Sequence, residues 1–163
     1  APIFADAPPP RAAPLRVRQV TDRVRPAAPP SEPHIRGLDH VALATTDLAR
    51  ALDFYRGLLG FRMVGEVDTG QGLVVTLLDT GRGLIGLYVC TGDAAGDWLP
   101  RPGAGQVALS VTGLEAIADQ LICADVPCLL EPTTLAGRAT AAFHDPDGNV
   151  IRLVEGEITY TRR

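Results

Sequence analysis

Phe143-His144-Asp145-Pro146-Asp147-Gly148-Asn149-Val150-Ile151-Arg152-Leu153-Val154-Glu155 reads as strand, tight turn, strand. Pro146 presets the backbone for the first inner turn position, and Asp147-Gly148-Asn149 supplies residues that tolerate positive φ. Apolar side chains alternate on both sides of the turn, which predicts a hairpin with one buried face.

A second stretch, Gly37 to Gly60, answers it about a hundred residues earlier. It holds a first strand carrying His40, an Asp47 N-cap, and a helix over 47–59 closed by Gly60. Leu48, Leu52, Tyr55 and Leu59 repeat at helical spacing and give that helix its apolar face. Strands are expected near 61–67, 72–79 and 83–90, with turns at Gly70-Gln71-Gly72 and Thr80-Gly81-Arg82-Gly83. The pattern then returns. Gly105 to Val111 mirrors the first strand, a helix is expected from Leu114 to Ala124, and strands near 127–131, 138–144 and 149–155. One offset of 66 residues sets His40 over Gln106 and Gly86 over Arg152, which points to an internal duplication. The fold class is α+β, built of two βαβββ modules. Module one spans 37–91, a linker 92–103 holds the single tryptophan, Trp98, and module two spans 104–156 before a short tail.

Residues 1–36 differ in kind. They hold nine of the 14 prolines and six arginines against three acids. Pro8-Pro9-Pro10 and Pro29-Pro30 favour extended polyproline II, and the arm is expected to be extended or disordered. Leu15 to Val20 alternates like a strand that could add to a sheet edge or clasp a second protomer.

Composition closes off several classes. All 15 basic residues are arginine, so Schiff-base, pyridoxal phosphate and P-loop lysine chemistry is excluded from this chain. A net charge of −4 does not favour nucleic acid, and no run is apolar and long enough for a membrane span. Cys90, Cys123 and Cys128 are odd in number and lack ligand spacing, so they read as small buried hydrophobes in a reducing, cytoplasmic compartment. The chain opens on Ala1 rather than methionine, so trimming is expected, and no signal-peptide core is visible.

The segments DHVALATTDLARALDFYRGLLGF and FHDPDGNVIRLVE resemble the vicinal oxygen chelate superfamily, which includes glyoxalase I, bleomycin-resistance proteins and extradiol dioxygenases. The resemblance covers about residues 37 to 156. It implies that the modules curl into a U-shaped mixed sheet around a cavity. It also implies four ligand positions, which fall on His40, Gly86, Gln106 and Arg152. The first and third match the His or Gln expected there. Gly86, in LIGLYV, and Arg152, in VIRLVE, stand where a carboxylate is expected. Glycine has no ligand atom, and arginine is a fixed cation. Glu155 lies three residues beyond Arg152, on the opposite face of a strand. No metal is therefore expected. Were one bound (Fe, Mn, Ni or Zn), its ligands would be His40, Gln106 and Glu155.

By strand parity the cavity face carries His40, Gly86, Tyr88, Gln106, Val150 and Arg152. His40 can exchange a proton, and Arg152 can stabilise an enolate or phenolate. Gln106, Tyr88, Gly86, Trp98 and Val150 would contact the ligand, with Gly86 leaving room for a bulky one. His144, at the turn, reads as a solvated or turn-bonding histidine, and Asp39 and Asp47 as turn and cap residues. The leading reading is a metal-independent isomerase, lyase or cyclase acting on an oxygen-rich compound, of the kind found in secondary metabolism. The alternatives are a metal-free drug- or metabolite-binding protein of the bleomycin-resistance type, and a metal-dependent lyase or dioxygenase. A homodimer is expected, with the site within one chain or shared between two.

Overall fold

A computed structural model describes residues 35–68, 73–90 and 99–158. The expectations for most of the arm, for the turn at Gly70-Gln71-Gly72, and for Trp98 lie outside those residues. Module one runs β1 (Val41–Thr45), α1 (Leu48–Leu52), β2 (Arg62–Asp68), β3 (Val74–Asp79) and β4 (Leu84–Val89). Module two runs β5 (Gln106–Val111), α2 (Leu114–Cys123), β6 (Cys128–Leu135), β7 (Arg138–His144) and β8 (Val150–Glu155). Each makes one four-stranded mixed sheet, ordered β1-β4-β3-β2 and β5-β8-β7-β6. In both, the first strand lies parallel to the last and the other pairs are antiparallel. The duplication read from the offset of 66 is therefore a duplication of topology. Among the described residues no helix is long and apolar enough to cross a membrane.

Alternation sorts each strand into two faces. Leu43, Leu78, Ile85 and Leu87 of the first sheet and Phe143, Ile151 and Leu153 of the second are buried in one core, with Leu114, Ala118 and Leu121 of α2. The opposite faces carry Ala42, Gly86 and Tyr88, and Gln106, Val150 and Arg152.

Three local expectations change. The helix 47–59 begins as foreseen, with Asp47 accepting a hydrogen bond from Arg50 N at 3.1 Å. From Asp53 to Leu58 it widens into a π-helix, in which Leu59 N donates to Phe54 O at 3.0 Å. The wider turn buries Phe54 and Tyr55 side by side and delivers the Tyr55 hydroxyl to Asp145. Strand β6 runs to Leu135 rather than stopping near 131. Pro132 is tolerated because β6 is an edge strand whose register shifts between Leu130 and Thr133. Cys123 and Cys128 are exposed, not buried, since one ends α2 beyond its last core residue and the other opens the edge strand.

The β7–β8 turn joins the modules. Asp145 Oδ1 accepts from Asp147 N at 2.9 Å and Asn149 N at 2.8 Å. Its Oδ2 accepts from Tyr55 OH at 2.6 Å and Asn149 Nδ2 at 2.8 Å. Asn149, fully buried, also donates to Ala44 O at 3.0 Å and accepts from Gly105 N at 2.9 Å. Asp147 reaches the end of β1: Thr45 Oγ1 donates to its Oδ2 at 2.6 Å, and Thr46 N and Oγ1 to its Oδ1 at 2.9 and 2.7 Å. Only Gly148 of this turn takes a positive φ, +88°. Burial acts to raise the Asp147 pKa, but the hydrogen bonds from Thr45 and Thr46 and the Arg50 charge together hold it below the ordinary carboxylate value.

A carboxylate with a depressed folded pKa stabilises the fold above its unfolded value, and that stability is lost as pH falls through the folded one. The chain should therefore lose stability as pH drops below about 4, the ordinary aspartate range. Asp147→Asn should flatten that acid limb and cost about 1–3 kcal/mol near neutrality, because one of the two oxygens that accept from Thr45 and Thr46 becomes an NH2 donor. Urea melts of both proteins from pH 3 to 7 check this; an unchanged acid limb in the variant would count against the assignment.

Candidate functional site

His40 directly precedes β1 instead of lying within it, and its ring lies against Gly86 of β4. Both ring nitrogens are engaged. Nδ1 bonds Asp39 Oδ2 at 2.7 Å, and Nε2 bonds Tyr88 OH at 2.9 Å. A carboxylate only accepts, so the neutral ring carries its proton on Nδ1, and Nε2 accepts from the tyrosine. The His40 and Tyr88 rings lie nearly parallel, with centroids 6.0 Å apart and 19° between planes. The His40 side chain is 25% exposed, enough for a ligand to reach it, while that of Asp39 is 94% exposed.

Gly86 does not hold open space for a ligand, as the sequence suggested. A Cβ there would stand 2.9 Å from His40 Cδ2, 3.1 Å from Val75 Cγ1 and 3.2 Å from Tyr88 Cε2. The missing side chain is the bed on which the imidazole rests.

The second sheet carries the other half. Gln106 is in register with Val150, and Arg152 lies between Ala108 and Ala142. Gln106 is exposed and Arg152 half-buried. Among the described residues Arg152 makes no ion pair or hydrogen bond, and its guanidinium carries five N–H donors. No hydrogen bond among the described residues joins this set to His40 and Tyr88. The structure thus brings together His40, Gly86 and Tyr88 on one sheet, and Gln106, Val150 and Arg152 on the other. Trp98 is outside the described residues.

Glu155 is committed elsewhere. Its carboxylate accepts from Gly113 N at 2.5 Å and Leu114 N at 3.3 Å, capping α2 whose N-cap is a glycine with φ +77°. It therefore faces the helix side and cannot join His40 and Gln106 around an ion. Among the described residues no three His, Cys, Asp or Glu side chains converge as a metal set. The donors present do not fit the metal that the resemblance allows. His144 is the turn-bonding residue expected, with Nδ1 donating to Gly148 O at 3.0 Å. Asp39, read as a turn residue, is the one missed. An acid beside a histidine carries no signal until the strand start is known to the residue.

The family model described as "Glyoxalase/Bleomycin resistance protein/Dioxygenase superfamily" matches residues 37–153. No curated protein matches. Among solved structures, lactoylglutathione lyase from Agrobacterium tumefaciens is 22% identical, with 76% of this chain and 96% of that one covered and a TM-score of 0.59. TnmS3, an antibiotic binding protein from Streptomyces sp. CB03234, is 22% identical over 77% of this chain and 100% of that one, TM-score 0.62. TioX from Micromonospora sp. ML1 is 20% identical over 73% and 98%, TM-score 0.59. At these identities the likeness is one of fold.

Two substitutions test the geometry. Gly86→Ala should push the His40 ring off Tyr88 and cost about 1–3 kcal/mol, read as a change in the His40 imidazole NMR signals with a lowered melting midpoint. Glu155→Ala should cost about 0.5–2 kcal/mol through the lost cap and leave metal content as it was, checked by chemical melts and elemental analysis.

Proposed function

For a chain that belongs to the glyoxalase/bleomycin resistance protein/dioxygenase superfamily, we propose a metal-independent enzyme that isomerises, eliminates or cyclises an oxygen-rich small molecule through an enolate-like intermediate. The observation that carries this reading is the hydrogen-bonded run Asp39–His40–Tyr88, at 2.7 and 2.9 Å, on an accessible sheet face. His40 Nε2 is the base: it takes a proton from the ligand, directly or through the Tyr88 hydroxyl, and Asp39 offsets the imidazolium charge. Arg152 would stabilise the oxyanion, and Gln106 and Val150 would orient the ligand beside it.

The two half-sets sit on different sheets, so the proposal includes a homodimer in which module one of one copy faces module two of the other. A cytoplasmic location is part of the same reading. A second reading, sequestration of a drug or metabolite, is favoured by the fold shared with an antibiotic binding protein. It needs His40 only as a contact.

The test is proton exchange. Wild-type protein, with metal content measured first, is incubated in deuterium oxide with a panel of hydroxyketones and β-dicarbonyls, and α-deuteration is followed by NMR. Wild type should exchange at least one of them, and His40→Gln and Arg152→Gln should each lose about 100-fold or more. Saturable binding without exchange, weakened only a few-fold by His40→Gln, would transfer the case to sequestration. Stoichiometric metal that survives dialysis would sink the metal-free reading.

A further inference from the structure

A proton leaving a ligand has two ways onto His40: straight to Nε2, or by way of the Tyr88 oxygen. An imidazole nitrogen has one in-plane position for a hydrogen, and at Nε2 the Tyr88 hydroxyl holds it at 2.9 Å. Nδ1 is closed in the same way by Asp39 Oδ2 at 2.7 Å. A ligand can reach the ring, but it meets no open nitrogen there.

The phenol is not placed to step aside. Tyr88 is the cross-strand neighbour of Val75, which is buried. Tyr88 Cε2 and Val75 Cγ1 stand 3.2 and 3.1 Å from the empty Cβ position of Gly86, and His40 Cδ2 stands 2.9 Å from it. Gly86 thus beds both rings at once, 19° from parallel, with the hydroxyl aimed at Nε2. A phenol oxygen that donates its hydrogen still has a lone pair with which to accept. Tyr88 is half-buried, so a ligand can reach that lone pair, and with the ring neutral it is the one hydrogen-bonding place the two rings leave open.

Granted the enzymatic reading, on which this rests, we infer that Tyr88 is a catalytic residue: its oxygen, not His40 Nε2, takes the ligand's proton, and His40 and Asp39 act through it as positioning residues. The ligand's C–H bond breaks and its electron pair stays behind as the enolate. That hydrogen bonds to the Tyr88 oxygen while Tyr88's own hydrogen passes to Nε2. The phenol ends neutral and the ring an imidazolium beside Asp39. The group laid on Tyr88 is accordingly a donor, an acidified C–H or a hydroxyl beside a carbonyl, and the carbonyl oxygen finds its own donor elsewhere.

The probes are 2-hydroxyacetophenone and acetylacetone in deuterium oxide, with α-deuteration and binding both followed by NMR. Tyr88→Phe keeps the ring that packs on Gly86 and Val75 but frees Nε2, so it separates the two routes. It should lose about 100-fold in exchange while probe affinity changes only a few-fold. Tyr88→Phe combined with His40→Gln should lose no more than either alone, because the two groups act as a unit. In the wild type, a bound probe should shift the Tyr88 ring signals and leave the His40 Nε2 resonance hydrogen-bonded as before. Exchange kept within a few-fold in Tyr88→Phe, an additive loss in the double variant, or a bound probe that displaces Tyr88 from Nε2 would overturn the inference and leave His40 as the direct base. A wild type that exchanges neither probe would overturn it together with the enzymatic reading.

Discussion

Two buried carboxylates in one turn hold this molecule together. Asp145 and Asp147 are both withdrawn from water, a costly state unless each oxygen is given donors. Asp145 takes four hydrogen bonds and Asp147 three, from the turn itself, from β1 and from Tyr55. Three of those donors, Thr45, Thr46 and Tyr55, belong to module one, so the arrangement that satisfies the turn also fixes the two sheets against each other. Tyr55 is bound into it as firmly. Burial first, then the hydrogen bond and charge of Asp145, drive its phenol far above the ordinary tyrosine value, which keeps it a permanent donor. The π-helical turn is the local distortion that brings that hydroxyl into reach.

The candidate site depends on a similar exchange of one group for another. At Gly86 the family resemblance implies a carboxylate and the sequence has none; the structure shows what occupies the space instead. An imidazole lies where a Cβ would stand 2.9 Å from it, and the ring is then pinned at both nitrogens. A position with no ligand atom to offer is a packing requirement for the His40 ring.

What could be read from the sequence follows physical range. Period-2 alternation and turn chemistry are local, so the hairpin, the Asp47 cap, both helix starts and most strand limits were legible. Parity along β8 separated Arg152 from Glu155 correctly, because alternation is rigid where no bulge intervenes. Three things depended on contacts across the fold and were not legible. The π-helical turn answers a partner 90 residues away in sequence. The extension of β6 past Pro132 required knowing that it is an edge. The role of Asp39 required knowing that β1 starts at Val41, which turns the Asp39 side chain toward the ring beside it.

The duplication accounts for the division of labour. Positions related by the offset of 66 occupy equivalent places in two sheets of one topology, yet the first sheet presents a histidine ring bedded on Gly86 while the second presents the amide of Gln106 and the guanidinium of Arg152. Equivalent backbones thus present different side-chain chemistry, and no hydrogen bond among the described residues joins the two halves. A ligand that needs both must be met by two sheets at once, so its affinity depends on module placement as much as on any contact residue. Within one chain the two modules are held to each other by the Asp145–Asp147 turn, which lies at the start of the strand carrying Arg152 and grips the end of the strand that His40 precedes.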